Sequence, residues 1–225
     1  MPTRANALAV MAKAPIPGSV KTRMVPPLTH EQAAELCRAL LLDQLEHLSA
    51  LADVELFVAF APAEAVTLID NIVPTGFQCF PQSGADLGER MNTIFDDLWQ
   101  RGHRNLVLIG SDLAALPLKL FYDAFGLLSV RDRRVVLGPS QDGGYYLVGM
   151  NRPTPEIFSA MTWSHDRVLA QTTTKLTGLG IDFRLLPSWF DLDTVEDIEL
   201  LQACADPAAH AAMKRTLRFL QGLNR

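Results

Sequence analysis

The chain has 225 residues, 48% of them hydrophobic and 20% charged, and a formal net charge of −5 at pH 7. That composition holds enough apolar side chain for a sizeable core and excludes an extended disordered polymer. The acidic balance argues against the broad basic face that nucleic acid or an anionic membrane requires, so any anionic partner is small. No Ser/Gly-rich or charge-rich linker divides the sequence, and one domain spanning residues 1–225 is expected. No window is apolar for long enough to cross a bilayer, and the stretch Ala5 to Ala14 is broken by Lys13 and too short for a secretion signal. Cys37, Cys79 and Cys204 lie far apart without paired spacing, which points to neither a disulfide framework nor a thiolate zinc site, and a reducing cytoplasm is expected.

Apolar runs and amphipathic stretches alternate along the chain, the pattern of an α/β fold with parallel pairing. A first strand, Ala7 to Met11, runs into a loop with two prolines, Gly18 and the cations Lys13, Lys21 and Arg23, a layout suited to phosphate oxygens. It lacks the glycine pattern of a Walker A loop and the Gly-x-Gly-x-x-Gly of a dinucleotide-binding turn, which ranks an oxidoreductase low. Thr29 and Gln32 form a capping box for a helix to about Leu51, and a strand follows at Val54 to Phe60. Asp86, Gly88 and Arg90 open a helix from Leu87 to Arg101; its first turn can accept a phosphate, a ribose or a base edge, or Asp86 is simply its N-cap.

The strand Leu106 to Gly110 ends in Ser111 and Asp112, ahead of a helix from Leu116 to Leu128. A carboxylate at that edge can hold Mg²⁺ or Mn²⁺ against a pyrophosphate, or can cap the helix. Strands at Val135 to Gly138 and Tyr145 to Gly149 flank Asp142-Gly143-Gly144, which reads equally as a hairpin turn or as a place where a ligand approaches the backbone beside Asp142 and the tyrosine hydroxyls. A helix from His165 to Leu176 capped by Ser164, a strand from Asp182 to Leu186, a helix from Val195 to Ala203 capped by Thr194 and an accessory helix near Ala208 to Leu220 complete the series. The helix dipole accounts for Glu196 and Asp197 but not for Asp191 and Asp193, and Asp193 is the better candidate for a second metal ligand. The five histidines, His30, His47, His103, His165 and His210, show no metal spacing and read as surface or capping residues.

Five segments in this order, Met11 to Arg23, Asp86 to Met91, Ile109 to Asp112, Gly138 to Leu147 and Asp191 to Asp197, resemble a bacterial and archaeal family of glycosyltransferase-A-like proteins in the nucleotide-diphospho-sugar transferase superfamily. A more distant similarity reaches phospholactate guanylyltransferase and the molybdenum-cofactor nucleotidyltransferases. The resemblance implies a three-layer α/β/α sandwich with a mostly parallel central sheet and a nucleotide at the carboxyl edge of that sheet. It also implies a divalent metal on Asp112, with Asp193 where related enzymes keep a second ligand and Lys13, Lys21 and Arg23 at phosphate-contacting positions. The chain departs from the nucleotidyltransferases in lacking a Gly-Gly pair in its first loop, and from many glycosyltransferases in having Gly-Ser-Asp in place of Asp-x-Asp.

The function expected is metal-dependent transfer from a nucleoside triphosphate or a nucleotide sugar to a small-molecule acceptor. In the triphosphate version an acceptor phosphate attacks the α-phosphorus while Lys21 and Arg23 offset charge. In the glycosyl version Asp142 serves as base. Lys13, Gly18, Lys21, Arg23, Asp86, Gly88, Arg90, Gly143 and Gly144 are the candidate nucleotide contacts, and Lys21, Arg23, Asp112 and Asp142 the catalytic ones. A silent nucleotide-binding or regulatory protein is the alternative.

Overall fold

The computed structural model describes residues 5–203 and 211–223. Seven strands form one sheet: β1 (Asn6–Lys13), β2 (Val54–Ala61), β3 (Phe77–Pro81), β4 (Asn105–Gly110), β5 (Arg134–Pro139), β6 (Tyr145–Met150) and β7 (Asp182–Leu185), in the order β3-β2-β1-β4-β6-β5-β7. All neighbours pair in parallel except β6, which runs antiparallel to both β4 and β5. Among the described residues the α-helices include α1 (His30–Leu48), α2 (Val66–Ile72), α3 (Leu87–Gln100), α4 (Leu118–Leu128), α5 (Val168–Gly178), α6 (Val195–Ala203) and α7 (Lys214–Leu223).

The three-layer arrangement follows from strands that are apolar on both faces. In β1, Leu8, Val10 and Ala12 turn to one side, where Leu41 and Leu45 of α1, Ile69 of α2 and Phe121 and Phe125 of α4 close over them. Ala7 and Ala9 turn to the other side, against Met91, Ile94, Phe95 and Leu98 of α3 and Leu176 of α5. The outer stripe of α1, Ala33, Leu36 and Leu40, packs a third cluster with Met24, Leu28, Leu192 and Leu220. That cluster matters for function, because it seats the segments flanking Lys21 and Asp193 against the same helix.

Local chemistry sets the element ends. Thr29 accepts from the Gln32 amide, and the Gln32 side chain accepts from Thr29, the expected capping box; α1 stops at Leu48, short of Leu51. Thr194 and Asp197 cap α6 reciprocally, with Thr194 N donating to Asp197 Oδ2 at 2.7 Å. Helix α5 begins at Val168, three residues after the expected start, because Ser164 lies at φ 65° and makes no cap. Strand β3 and helix α2 are additions to the expected elements. The accessory helix runs from Lys214 to Leu223, and its expected start near Ala208, with Cys204 and His210, lies outside the described residues.

The Asp142-Gly143-Gly144 segment is a hairpin turn between antiparallel β5 and β6. Gly143 sits at φ 87° with Asp166 O only 2.0 Å from where a Cβ would stand, so the close approach it permits is to the 164–167 segment of the chain itself.

Candidate active site at the carboxyl edge of the sheet

The register of β1 on β4 decides where the first loop and the central acid meet. Met11 pairs with Gly110 in parallel, so the residues two steps further, Lys13 and Asp112, leave the same edge side by side. Ser111 N donates to Met11 O at 3.1 Å and fixes the exit. From there the first loop turns at Gly18 (φ 79°) and enters a short 3-10 helix, Thr22–Met24.

A strap from the other end of the chain closes over this edge. Trp189 Nε1 donates to Ala114 O at 2.7 Å, Leu192 N donates to Asp112 O at 2.8 Å, and Leu113 bridges to Asp191. Asp193 thereby arrives beside Asp112 although the two are far apart in sequence. Between them lies the Lys21 ammonium, which contacts Asp112 Oδ1, Asp193 Oδ1 (2.9 Å) and Leu192 O (2.7 Å). The Lys21 side chain is 3% exposed, whereas the two carboxylates are 43% and 42% exposed. Burial works against its charge, but Asp112 and then Asp193 outweigh burial and hold the ammonium up at about 12.

These groups line a cavity of about 500 Å³ with Lys13, Ser19, Arg23 and Asp142, and Ser164, His165 and Asp166 also line it. A second cavity of about 250 Å³ adjoins it, sharing Lys13, Ser111 and Asp112. The second is more apolar, with Met11, Met91, Leu108 and Val148 among its walls and Gln82 and Arg90 at its polar margin. Gln82 is held by Ala59 O at 2.8 Å and Arg90 by Gly84 O at 3.1 Å.

Of the residues singled out by sequence, Lys13, Lys21, Arg23, Asp112, Asp142 and Asp193 line the first cavity and Arg90 the second. Gly18, Asp86, Gly88, Gly143 and Gly144 line neither. Asp86 caps α3 by accepting from Glu89 N at 2.9 Å. Gly88 makes room for Trp163, whose ring lies 2.8 Å from where a Cβ would be. Gly144 N donates to Asp142 Oδ1 at 3.0 Å, which orients that carboxylate within the turn. The capping alternative for Asp112 falls away, because α4 starts only at Leu118 behind Pro117. The Tyr146 hydroxyl donates to Pro187 O at 3.0 Å, while Tyr145 and Tyr146 both line the second cavity. Sequence reading missed the wall of Ser164, His165 and Asp166; His165 Nδ1 accepts from Arg167 N at 3.0 Å, a local capping contact that hides its place at the cavity.

Asp112 and Asp193 are oxygen donors brought together by one shared cation, and both keep accessible surface toward the cavity. Among the described residues no group of three His, Cys, Asp or Glu side chains is poised for a metal. A two-carboxylate seat fits Mg²⁺ or Mn²⁺, hard cations that complete their shell with water and phosphate oxygens, and does not fit zinc.

The half-buried Asp191, which accepts from Ser140 Oγ at 3.1 Å, is pushed up to about 7, first by desolvation and then by the charges of Asp112 and Asp193. A carboxyl raised above its unfolded value, near 4, draws a proton to the folded state. Stability therefore falls as pH rises from about 4 to about 7 and levels off above. Asp191→Asn should melt several degrees higher than the parent at pH 8 and level with it at pH 4, both in chelator; parallel pH profiles for the two proteins would contradict this.

A family profile described as "uncharacterized protein conserved in bacteria (DUF2064)" matches residues 44–165. The chain belongs to the DUF2064 family. Within the solved structures, this DUF2064 chain is similar to a protein of Desulfovibrio desulfuricans G20, provisionally assigned as a nucleotide-diphospho-sugar transferase, at 27% identity with a TM-score of 0.85 and 98% of each chain covered. It shares its fold with a cytidylyltransferase from Leptospira borgpetersenii serovar Hardjo-bovis (14% identity, TM-score 0.55, 99% of this chain and 94% of that one). The same holds for a CMP:2-keto-3-deoxy-manno-octonic acid synthetase complexed with CTP (10% identity, TM-score 0.53, 88% and 97% covered). No curated protein matches the DUF2064 chain significantly. No helix among the described residues is long and apolar enough to cross a membrane.

Proposed function

We propose that the chain is a divalent-metal-dependent glycosyltransferase of the cytoplasm that takes a nucleotide-sugar donor in this cleft and passes the sugar to a small hydroxyl-bearing acceptor. The observation that carries the reading is convergence: the cations of the first loop and the carboxylates Asp112 and Asp193 face one cavity. The adjoining apolar cavity suits a nucleoside, and Lys13 and Arg23 suit its diphosphate. Asp112 and Asp193 would hold Mg²⁺ or Mn²⁺, which when bound neutralises charge on a departing diphosphate.

The remaining wall speaks for the acceptor. Asp142, Ser164, His165 and Asp166 offer hydrogen-bond partners for hydroxyls and no lysine or arginine for a phosphate. Asp142, oriented by the Gly144 amide, is the group to take the acceptor hydroxyl's proton. The chain's likeness to the Desulfovibrio protein supports the glycosyl version. Nucleotidyl transfer is the second reading, favoured by the fold shared with cytidylyltransferases. Product analysis separates them, because the first releases a nucleoside diphosphate and the second pyrophosphate.

A thermal-shift panel of nucleotide sugars and nucleoside triphosphates, each with and without Mn²⁺, tests the reading. A donor at a hundred times its Kd stabilises by about 2.7 kcal/mol, or roughly 5–10 °C for a chain of this size. The shift should be largest with Mn²⁺ present. A flat response across the panel would remove the proposal.

A further inference from the structure

The Lys21 ammonium occupies the space between the two carboxylates assigned above to a divalent cation. Its three N–H groups meet three protein oxygens, on Asp112, Asp193 and Leu192, and its side chain is 3% exposed. In this arrangement it has no hydrogen left for a phosphate, and it must leave the carboxylates before it can make the phosphate contact expected from the sequence. Lys13 and Arg23 are the exposed cations of the same loop that face the cavity. The Lys21 backbone stands at φ 49° and ψ 35°, a left-handed conformation that a lysine seldom adopts and that the three-point tie of its side chain holds in place.

We propose that Lys21 is a resident counter-cation that competes with the divalent metal for Asp112 and Asp193 and yields them more readily when a polyphosphate arrives to receive its ammonium. The inference rests on the reading of these two carboxylates as the metal seat. Two carboxylates and one ammonium sum to a single negative charge, which leaves the seat attractive to a second cation but already partly satisfied. A divalent ion taking the carboxylates would release the ammonium into a cavity that already holds Lys13 and Arg23. Like charges at close range make that release unfavourable, and an incoming diphosphate reverses the sign. Metal and nucleotide then bind with positive coupling, each improving the affinity of the other by the same factor. The device would keep the site from loading metal before its donor.

Mn²⁺ binding without nucleotide, read from the free-ion electron paramagnetic resonance signal, tests this with no turnover involved. Lys21→Met should bind Mn²⁺ about tenfold or more tighter than the parent, within the usual range of coupling between sites. Adding Asp112→Asn to Lys21→Met should abolish the gain. Equal affinities in parent and folded Lys21→Met would overturn the exchange while leaving the metal seat in place. Absence of Mn²⁺ binding by both proteins at millimolar concentration would overturn the exchange together with the metal part of the proposed function. Should Lys21→Met fail to fold, acetic anhydride footprinting of the parent gives the answer: Lys21 should be protected without metal and acylated at saturating Mn²⁺. Unchanged protection would overturn the proposal.

Discussion

Asp112→Asn should lower turnover by about three orders of magnitude while leaving the fold in place. The side chain is 43% exposed, and Lys21 keeps two of its partners, Asp193 and Leu192 O, so the melting temperature should move by only a few degrees. On the proposed function, loss of one charged oxygen ligand at the metal seat would remove several kcal/mol from the stabilisation of a departing diphosphate, and each 1.36 kcal/mol is a factor of ten in rate. Nucleotide affinity in chelator should survive, since the apolar cavity and the exposed cations Lys13 and Arg23 are untouched. Initial rates on the donor found by thermal shift give the comparison. Unaltered turnover in a folded Asp112→Asn protein would take this carboxylate out of the chemistry.

The second large effect is expected at a residue that lines neither cavity. Gly143→Ala places a methyl group 2.0 Å from Asp166 O, at a backbone φ of 87°. The 140–144 turn and the 164–167 segment must separate, which breaks the bond from Leu169 N to Gly143 O. A left-handed alanine with such a clash costs about 2–3 kcal/mol, or roughly 5–10 °C in melting temperature. Because Asp142 on one segment and His165 and Asp166 on the other line the cavity, kcat/KM should fall by about a hundredfold as the acceptor wall shifts. Gly126→Ala, on α4 with nothing within 4 Å of the new methyl, is the control and should raise stability slightly. Calorimetry and steady-state kinetics on both variants check the contrast; equal melting temperatures for the two would show that the turn tolerates the side chain.

Strands β1, β2, β4, β5 and β6 announce themselves in the sequence because they are apolar on both faces, and their order with the intervening helices leads directly to a three-layer sheet fold. Strand β3 does not, since Phe77 to Pro81 forms the half-exposed edge of the sheet and ends in a proline. Helix α2 has seven residues and buries only Ile69 and Ile72, too few to set a period. Asp112 was visible as an acid at a strand end, and Asp193 as a carboxylate that the helix dipole does not explain.

What the sequence leaves hidden is partnership across the chain. Lys21 meets Leu192 and Asp193 over more than 170 positions, and only the fold of the strap shows that this lysine is tied to carboxylates. The glycines mislead in the same way. Gly88 and Gly143 have the look of ligand-approach positions, yet the groups that come close are Trp163 and the Asp166 backbone. Small residues record that something approaches, and only the assembled structure shows whether it is a ligand or the protein itself.

The most direct measurement is the anomalous scattering of Mn²⁺ in crystals of the full chain grown with Mn²⁺ and the donor, or a non-transferable analogue of it, picked out by thermal shift. The expected map has one strong peak touching Asp112 and Asp193, with the diphosphate between that peak and the side chains of Lys13 and Arg23. A metal peak away from Asp112 and Asp193, or a nucleotide seated on another face of the sheet, would contradict the shared cleft on which the proposed function stands.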